Sequence, residues 1–225
     1  MKRIDRSWRR RAPAVLGLSL FAIHSATAAT VTGRVAVTAT AGTVGARPVV
    51  YAEPLDVPAP ARPVRARLGQ KDKAFSPQVL VVPVGSTVEF PNNDPIFHNV
   101  FSLAAPAPFD LGLYRAGESK QRTFTQPATY RVFCNIHPQM TAFIVVAPTP
   151  YVTIAGADGR YSLDLPAGGY RVTARSERAS AVSVEVTVGS GAQAVSELSL
   201  DESRFVAAHK NKFGQDYPSS AYEKE

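Results

Sequence analysis

The stretch Thr129-Tyr130-Arg131-Val132-Phe133-Cys134-Asn135-Ile136-His137-Pro138-Gln139-Met140 reads as a β-strand running into a tight loop. β-branched and aromatic residues dominate its first half, and the two-residue period of an extended chain puts Tyr130, Val132 and Cys134 on one face, Arg131 and Phe133 on the other. Cys134 thus ends a strand facing a core. Pro138 limits the conformations of the loop that follows, so His137 and Met140, three and six positions after the cysteine, can turn back toward one point.

Outward from this stretch the same pattern recurs. Gln78 to Val84, Thr87 to Phe90, His98 to Leu103, Ser119 to Phe124 and Met140 to Val146 are predicted strands, with Val84-Gly85-Ser86 and Pro91-Asn92-Asn93-Asp94 as turns. Before this block come Thr30 to Val37 and Pro48 to Ala52. After it come Tyr151 to Ile154, Arg160 to Leu165, Tyr170 to Arg175 and Val182 to Val188. No long segment has helical periodicity, so the expected fold class is all-β. An isolated two-stranded piece is only marginally stable. Residues 29–66 and 148–200 are therefore expected to form one discontinuous β domain with residues 67–147 inserted, followed by a solvated polar tail over 201–225 that includes His209.

Residues 1–28 have a cationic start, an apolar middle and an Ala26-Thr27-Ala28 cleavage signal, the composition of a secretory signal peptide. They hold six of the 25 Lys and Arg residues and one of the 18 Asp and Glu residues. The formal charge of +7 therefore shrinks to about +2 without them, too little to argue for a nucleic-acid partner. No later stretch approaches the roughly 20 apolar residues of a transmembrane helix. The expectation is an exported protein, periplasmic or extracellular. In such compartments cysteines normally pair, and a lone Cys134 needs another reason to exist.

The chemistry of its neighbours supplies one. A thiolate from Cys134, imidazoles from His98 and His137 and a thioether from Met140 make up the trigonal site of two histidines and one cysteine, with a weak axial methionine, that binds type 1 copper. Zinc would not call for the methionine. Asn99, beside the first histidine, is placed to tie its strand to the cysteine loop. Tyr130, Phe133 and Phe143 read as sandwich core.

Phe75-Ser76-Pro77, Val84-Gly85-Ser86-Thr87-Val88-Glu89-Phe90, Asn92-Asn93-Asp94, His98-Asn99-Val100 and the Cys134, His137, Pro138, Met140 spacing resemble the cupredoxin family, plastocyanin and amicyanin above all. The resemblance implies an eight-stranded Greek-key sandwich with copper on His98, Cys134, His137 and Met140. It further implies electron exit at the edge of His137, within an apolar patch drawn from Ile96, Phe97, Ile136 and Pro138. The flanking segments resemble carboxypeptidase regulatory-like, or transthyretin-like, modules, in Val31-Thr32-Gly33-Arg34-Val35 and Leu165-Pro166-Ala167-Gly168-Gly169-Tyr170. The whole arrangement is similar to methylamine-utilisation proteins.

Counting excludes neighbouring classes. A binuclear purple centre needs two cysteines, and multicopper oxidases or nitrite reductases need more histidines than His98, His137 and His209. A cysteine hydrolase needs a base and an orienting third group in an open cleft, which one short loop supplies poorly. The chain is read as a non-enzymatic carrier of single electrons between redox proteins. The alternative is a cell-envelope binding module whose copper site buffers, senses or delivers the metal.

Overall fold

The computed structural model describes residues 28–40, 47–195, 197–206 and 209–217; the leader up to Thr27 lies outside them. Every regular element among the described residues is a β-strand. Two belong to the first flanking segment, β1 (Ala29–Thr38) and β2 (Val49–Pro54). The central segment has β3 (Arg65–Arg67), β4 (Gly69–Lys71), β5 (Ala74–Ser76), β6 (Val79–Pro83), β7 (Thr87–Pro91), β8 (His98–Ser102), β9 (Phe109–Tyr114), β10 (Ser119–Thr123), β11 (Ala128–Phe133) and β12 (Thr141–Ala147). The second flanking segment has β13 (Val152–Ile154), β14 (Arg160–Leu165), β15 (Gly168–Arg175), β16 (Val182–Val188), β17 (Gln193–Ala194) and β18 (Leu198–Asp201).

The central strands make two facing sheets, β10-β7-β3 and β6-β12-β11-β8-β9, with β4 and β5 as a separate hairpin. Alternation along the strands sends Val82, Val88, Phe90, Val100, Tyr130, Val132 and Ile144 into the shared core, which Leu68 and Cys134 join from strand ends and where Phe124 and Tyr130 meet edge to face at 4.9 Å. The flanking strands make a second pair of sheets. In one, β1 pairs with β14, β17 and β18; in the other the order is β13-β2-β15-β16. Strands from before and after the central segment thus share both flanking sheets.

Three expectations need correction. β3 runs across the division drawn between residues 66 and 67 and pairs in parallel with β7, so the central sandwich begins before residue 67. Phe143 is not in the central core; it faces outward and packs with Val49, Tyr51, Val79 and Val145 in a third cluster that joins the two sandwiches. Residues 209–217 do not float free, and Phe133 lies on the outer face of its sheet, stacked 4.1 Å from the His209 ring. Alternation alone cannot tell a face covered by solvent from one covered by a second module or a returning chain.

No helix among the described residues is long and apolar enough to cross a membrane.

Phe143 is 1% exposed. Replacing it with Ala should cost about 3–5 kcal/mol of unfolding free energy in urea, as for buried phenylalanines generally. A loss below about 1 kcal/mol, the range of ordinary surface substitutions, would mean that the two sandwiches are not packed against each other in solution.

Candidate metal centre

The site grows out of two neighbouring strands and one hairpin loop. β11 and β12 pair from Ala128↔Val146 to Phe133↔Thr141, and residues 134–140 connect them. The loop is closed by its own backbone: Cys134 N–H donates to Met140 O at 3.3 Å, and Met140 N–H to His137 O at 2.9 Å. β8, which pairs with β11 at Phe101↔Phe133, starts at His98. The register of β8 with β9 slips between Asn99 and Phe101, the local bulge that often re-aims a side chain beside a site.

These elements bring three donors together. His98 Nδ1 and His137 Nδ1 are 3.1 Å apart, and Cys134 Sγ lies 3.8 Å from the first and 3.7 Å from the second. A triangle with these sides has its centre about 2.1 Å from each corner, the bond length that nitrogen and sulfur donors make to a first-row metal ion. Met140 is fully buried in the same core cluster as Cys134. His98 and Cys134 are buried, while His137 is partly open to solvent.

The protonation pattern suits a cation at that centre. His98 Nε2 lies 2.6 Å from the Asp94 carboxylate. Donating Nε2–H to that carboxylate leaves the Nδ1 lone pair facing the cysteine sulfur and His137. Burial, then the nearby His98 and Lys73, hold His137 below the usual histidine range, with Asp94 opposing, so its ring is neutral near pH 7. Burial pushes the Cys134 thiol up, against the backbone N–H groups of Asn99, Ile136 and His137 that point at the sulfur. A metal ion must therefore displace a proton from Sγ.

Asp94 is the functional residue that sequence reasoning missed. It sits four positions before His98 in a loop folded over the side chain of Asn92, which donates to Ile96 O at 2.8 Å and accepts from Asp94 N–H at 3.0 Å. The β4–β5 turn supplies its other partners. Asp72 and Lys73 both adopt φ of 53° and aim their N–H groups at the two carboxylate oxygens, at 2.5 and 2.9 Å. The Asn92-Asn93-Asp94 run was a legible turn signal. The contribution of β4–β5 was not legible, because it depends on a fold-back between distant segments.

Asn99 Oδ1 accepts from Asn135 N–H at 3.3 Å, and its Nδ2 donates to Asp110 at 2.6 Å. Of the four apolar patch candidates, Ile96, Phe97 and Ile136 are exposed. Pro138 is buried and does not contribute to a surface.

Burial pushes the Asp94 carboxyl up, but the hydrogen bonds from Lys73 N–H, His98 and Asp72 N–H outweigh it and hold the group below the usual carboxylate range. A folded value below the unfolded one means that the ionised carboxylate stabilises the fold above about pH 4 and loses that effect as pH falls through the folded value. Asp94→Asn should cost the metal-free protein about 1–3 kcal/mol at pH 7 by urea titration. The difference from the parent should fade below about pH 3. A pH-independent difference would remove the carboxylate from this role.

Residues 64–147 match copper binding proteins of the plastocyanin/azurin family. Among solved structures, the chain is similar to a copper-containing nitrite reductase from Thermus scotoductus SA-01, at 34% identity over 42% of this chain and 25% of that one, with a TM-score of 0.36. It thus spans a quarter of that enzyme's length. It is also similar to a purple cupredoxin from Nitrosopumilus maritimus, at 23% identity over 36% and 99% of the two chains, with a TM-score of 0.33. A reduced mutant of amicyanin shares 27% identity over 36% and 80%, with a TM-score of 0.34. The family match and the donor geometry together identify a cupredoxin domain with a type 1 copper site at the His98, Cys134, His137 and Met140 cluster.

Proposed function

We propose that this chain, by virtue of its plastocyanin/azurin-family domain, is an exported carrier that passes single electrons between a donor and an acceptor protein without transforming a substrate. The observation that carries this reading is the 3.1, 3.7 and 3.8 Å triangle of two imidazole nitrogens and one sulfur, set in a β frame whose buried core holds Met140 in the same cluster as Cys134. Copper supplies a one-electron couple there, Cu(II) and Cu(I).

The chain's own part is to hold the donors still. His98 starts β8 and Cys134 directly follows β11, its hydrogen-bonded neighbour, while His137 and Met140 sit in the loop that Cys134 N–H closes on Met140 O. A frame this constrained changes little between oxidation states, which favours rapid electron exchange. In this reading Met140 would add a weak thioether donor to the copper held by His98, Cys134 and His137, and Asn99 keeps the two ligand-bearing segments in register. His137, with exposed Ile96, Phe97 and Ile136 on its side of the domain, is where an electron enters or leaves.

Export to the periplasm or the cell exterior is supported by the composition of the leader. The flanking strands fit a transthyretin-like sandwich, and its size favours a second reading. In that reading it recognises a cell-envelope partner while the copper site buffers, senses or delivers metal. Reversible one-electron exchange with a redox protein separates the two: a copper-loaded protein that is redox-inert, or that hands its metal to an acceptor, favours the second.

Adding Cu(II) to the purified mature chain should produce an intense blue thiolate charge-transfer band, absent in Cys134→Ser. Met140→Leu should keep the copper and the colour but change the reduction potential. Complete loss of metal from Met140→Leu would overturn the reading of Met140 as a weak donor.

Binding should also depend on pH in a defined direction. With His137 neutral and the thiol protonated, each copper ion bound releases one proton from Sγ, so affinity should rise about tenfold per pH unit between pH 7 and 8. It should fall more steeply once the His137 imidazole also competes for protons in acid. A competition titration showing constant affinity from pH 5 to 8 would contradict the ligand set.

A further inference from the structure

The family match ends at residue 147, yet the copper loop is gripped by residues that come after the flanking sandwich. Beyond β18 the chain crosses back to the central sandwich. Phe205 lies between the guanidinium groups of Arg131, at 5.2 Å, and Arg178, at 4.9 Å. The His209 ring then stacks on Phe133, the residue before Cys134, with the planes 4° apart. A compact turn follows, organised by Asn211 Oδ1, which accepts from Phe213 N–H at 2.9 Å and Gln215 N–H at 3.0 Å.

That turn clamps Asn135, the residue after Cys134. Lys212 N–H donates to Asn135 Oδ1 at 3.0 Å, and the Tyr217 hydroxyl donates to Asn135 O at 3.2 Å. Lys212 Nζ reaches Asp110 Oδ2 at 2.8 Å. Asp110 in turn accepts from Asn99, and Asn99 accepts from Asn135 N–H. Lys212, Asp110, Asn99 and Asn135 therefore form a closed ring of hydrogen bonds that includes the residues following two of the copper ligands.

We infer that residues 209–217 are an intramolecular strap that completes the copper site from outside, holding the backbone on either side of Cys134 so that the ligand loop cannot open to release its metal. This rests on the copper reading above. The strap's residues touch no donor atom; they act by positioning Asn135 and Phe133. Opening the loop must first break two hydrogen bonds and strip the aromatic stack from Phe133. The strap should therefore slow metal escape about tenfold or more, each hydrogen bond contributing a factor of a few.

The test compares the full mature chain with its Lys212→Met/Tyr217→Phe variant, which loses the hydroxyl bond to Asn135 O and the Lys212–Asp110 link of the ring while the Lys212 backbone bond remains. Loaded with Cu(I) and mixed with excess bathocuproine disulfonate, the variant should transfer copper about tenfold faster than the parent. In the metal-free proteins, amide hydrogen exchange should rise at residues 135–137 and stay unchanged in β6, β7 and β12. Lys212→Arg in the Tyr217 parent, which keeps a cation opposite Asp110, should behave like the parent. Transfer rates within twofold of each other would overturn the proposal. So would exchange that rises evenly across the central sandwich, since the strap would then support the fold at large and not the loop. A parent chain that takes up no copper refutes the copper reading instead, and the exchange comparison still decides whether the strap secures the loop.

Discussion

The 2.6 Å contact between His98 Nε2 and the Asp94 carboxylate carries the rest of the site. An imidazole with no exposed surface and a carboxylate nearly as deep are costly to bury unless each has partners. Here the partners are arranged in series. Two N–H groups from the β4–β5 turn satisfy the carboxylate, the carboxylate fixes the tautomer and tilt of His98, and His98 then offers a lone pair toward Cys134 and His137. Loosening any link would leave a buried polar group unpaired.

A similar logic explains the weight of β structure around a single small site. The three donor atoms come from a strand start, a strand end and a hairpin loop, none of which could hold its geometry alone. Cross-strand hydrogen bonding sets the spacing of β8 and β11, and the apolar core beneath them, with Phe90, Phe124 and Tyr130 at its centre, keeps the sheets from shearing. The second sandwich extends the same frame. Its β2 and β13 pack through Tyr51, Val152 and Ile154 onto the outer face of β6 and β12, so the strand that leaves the ligand loop is buried on both sides. The chain that leaves this sandwich returns across the module boundary through the Arg131, Phe205 and Arg178 stack. Arg131 also pairs with Glu177 at 3.0 Å, a second tie between the modules at the same seam.

Strands whose residues alternate cleanly were legible from the sequence. β14 and β16 lie within the runs Arg160 to Leu165 and Val182 to Val188, and β6, β7, β8, β10, β11 and β12 fall within one or two residues of the predicted runs. β9 was not legible, since Phe109-Asp110-Leu111-Gly112-Leu113-Tyr114 carries a glycine at φ 71° and an acid in mid-strand. β3 and the β4–β5 hairpin were missed because they are short, charged and held by distant partners. The donor set was legible because cysteine, histidine and methionine are scarce in this chain and soft donors have few other uses.

What the amino-acid sequence determined by itself was the alternation that makes the chain all-β, the face on which Cys134 ends its strand, and the donor types that select copper. These are properties of single residues and short spacings. Only the tertiary structure decided that Asp94 would orient His98, that Phe143 would face a second sandwich and not the core of its own, and that Lys212 and Tyr217 would grip Asn135. Each of these is a contact between segments far apart along the chain or, for Asp94, a loop shape imposed by a distant turn. Residue types and local spacing do not encode which distant surfaces will meet; that follows from how two sandwiches and a returning strap can all bury their apolar faces at once.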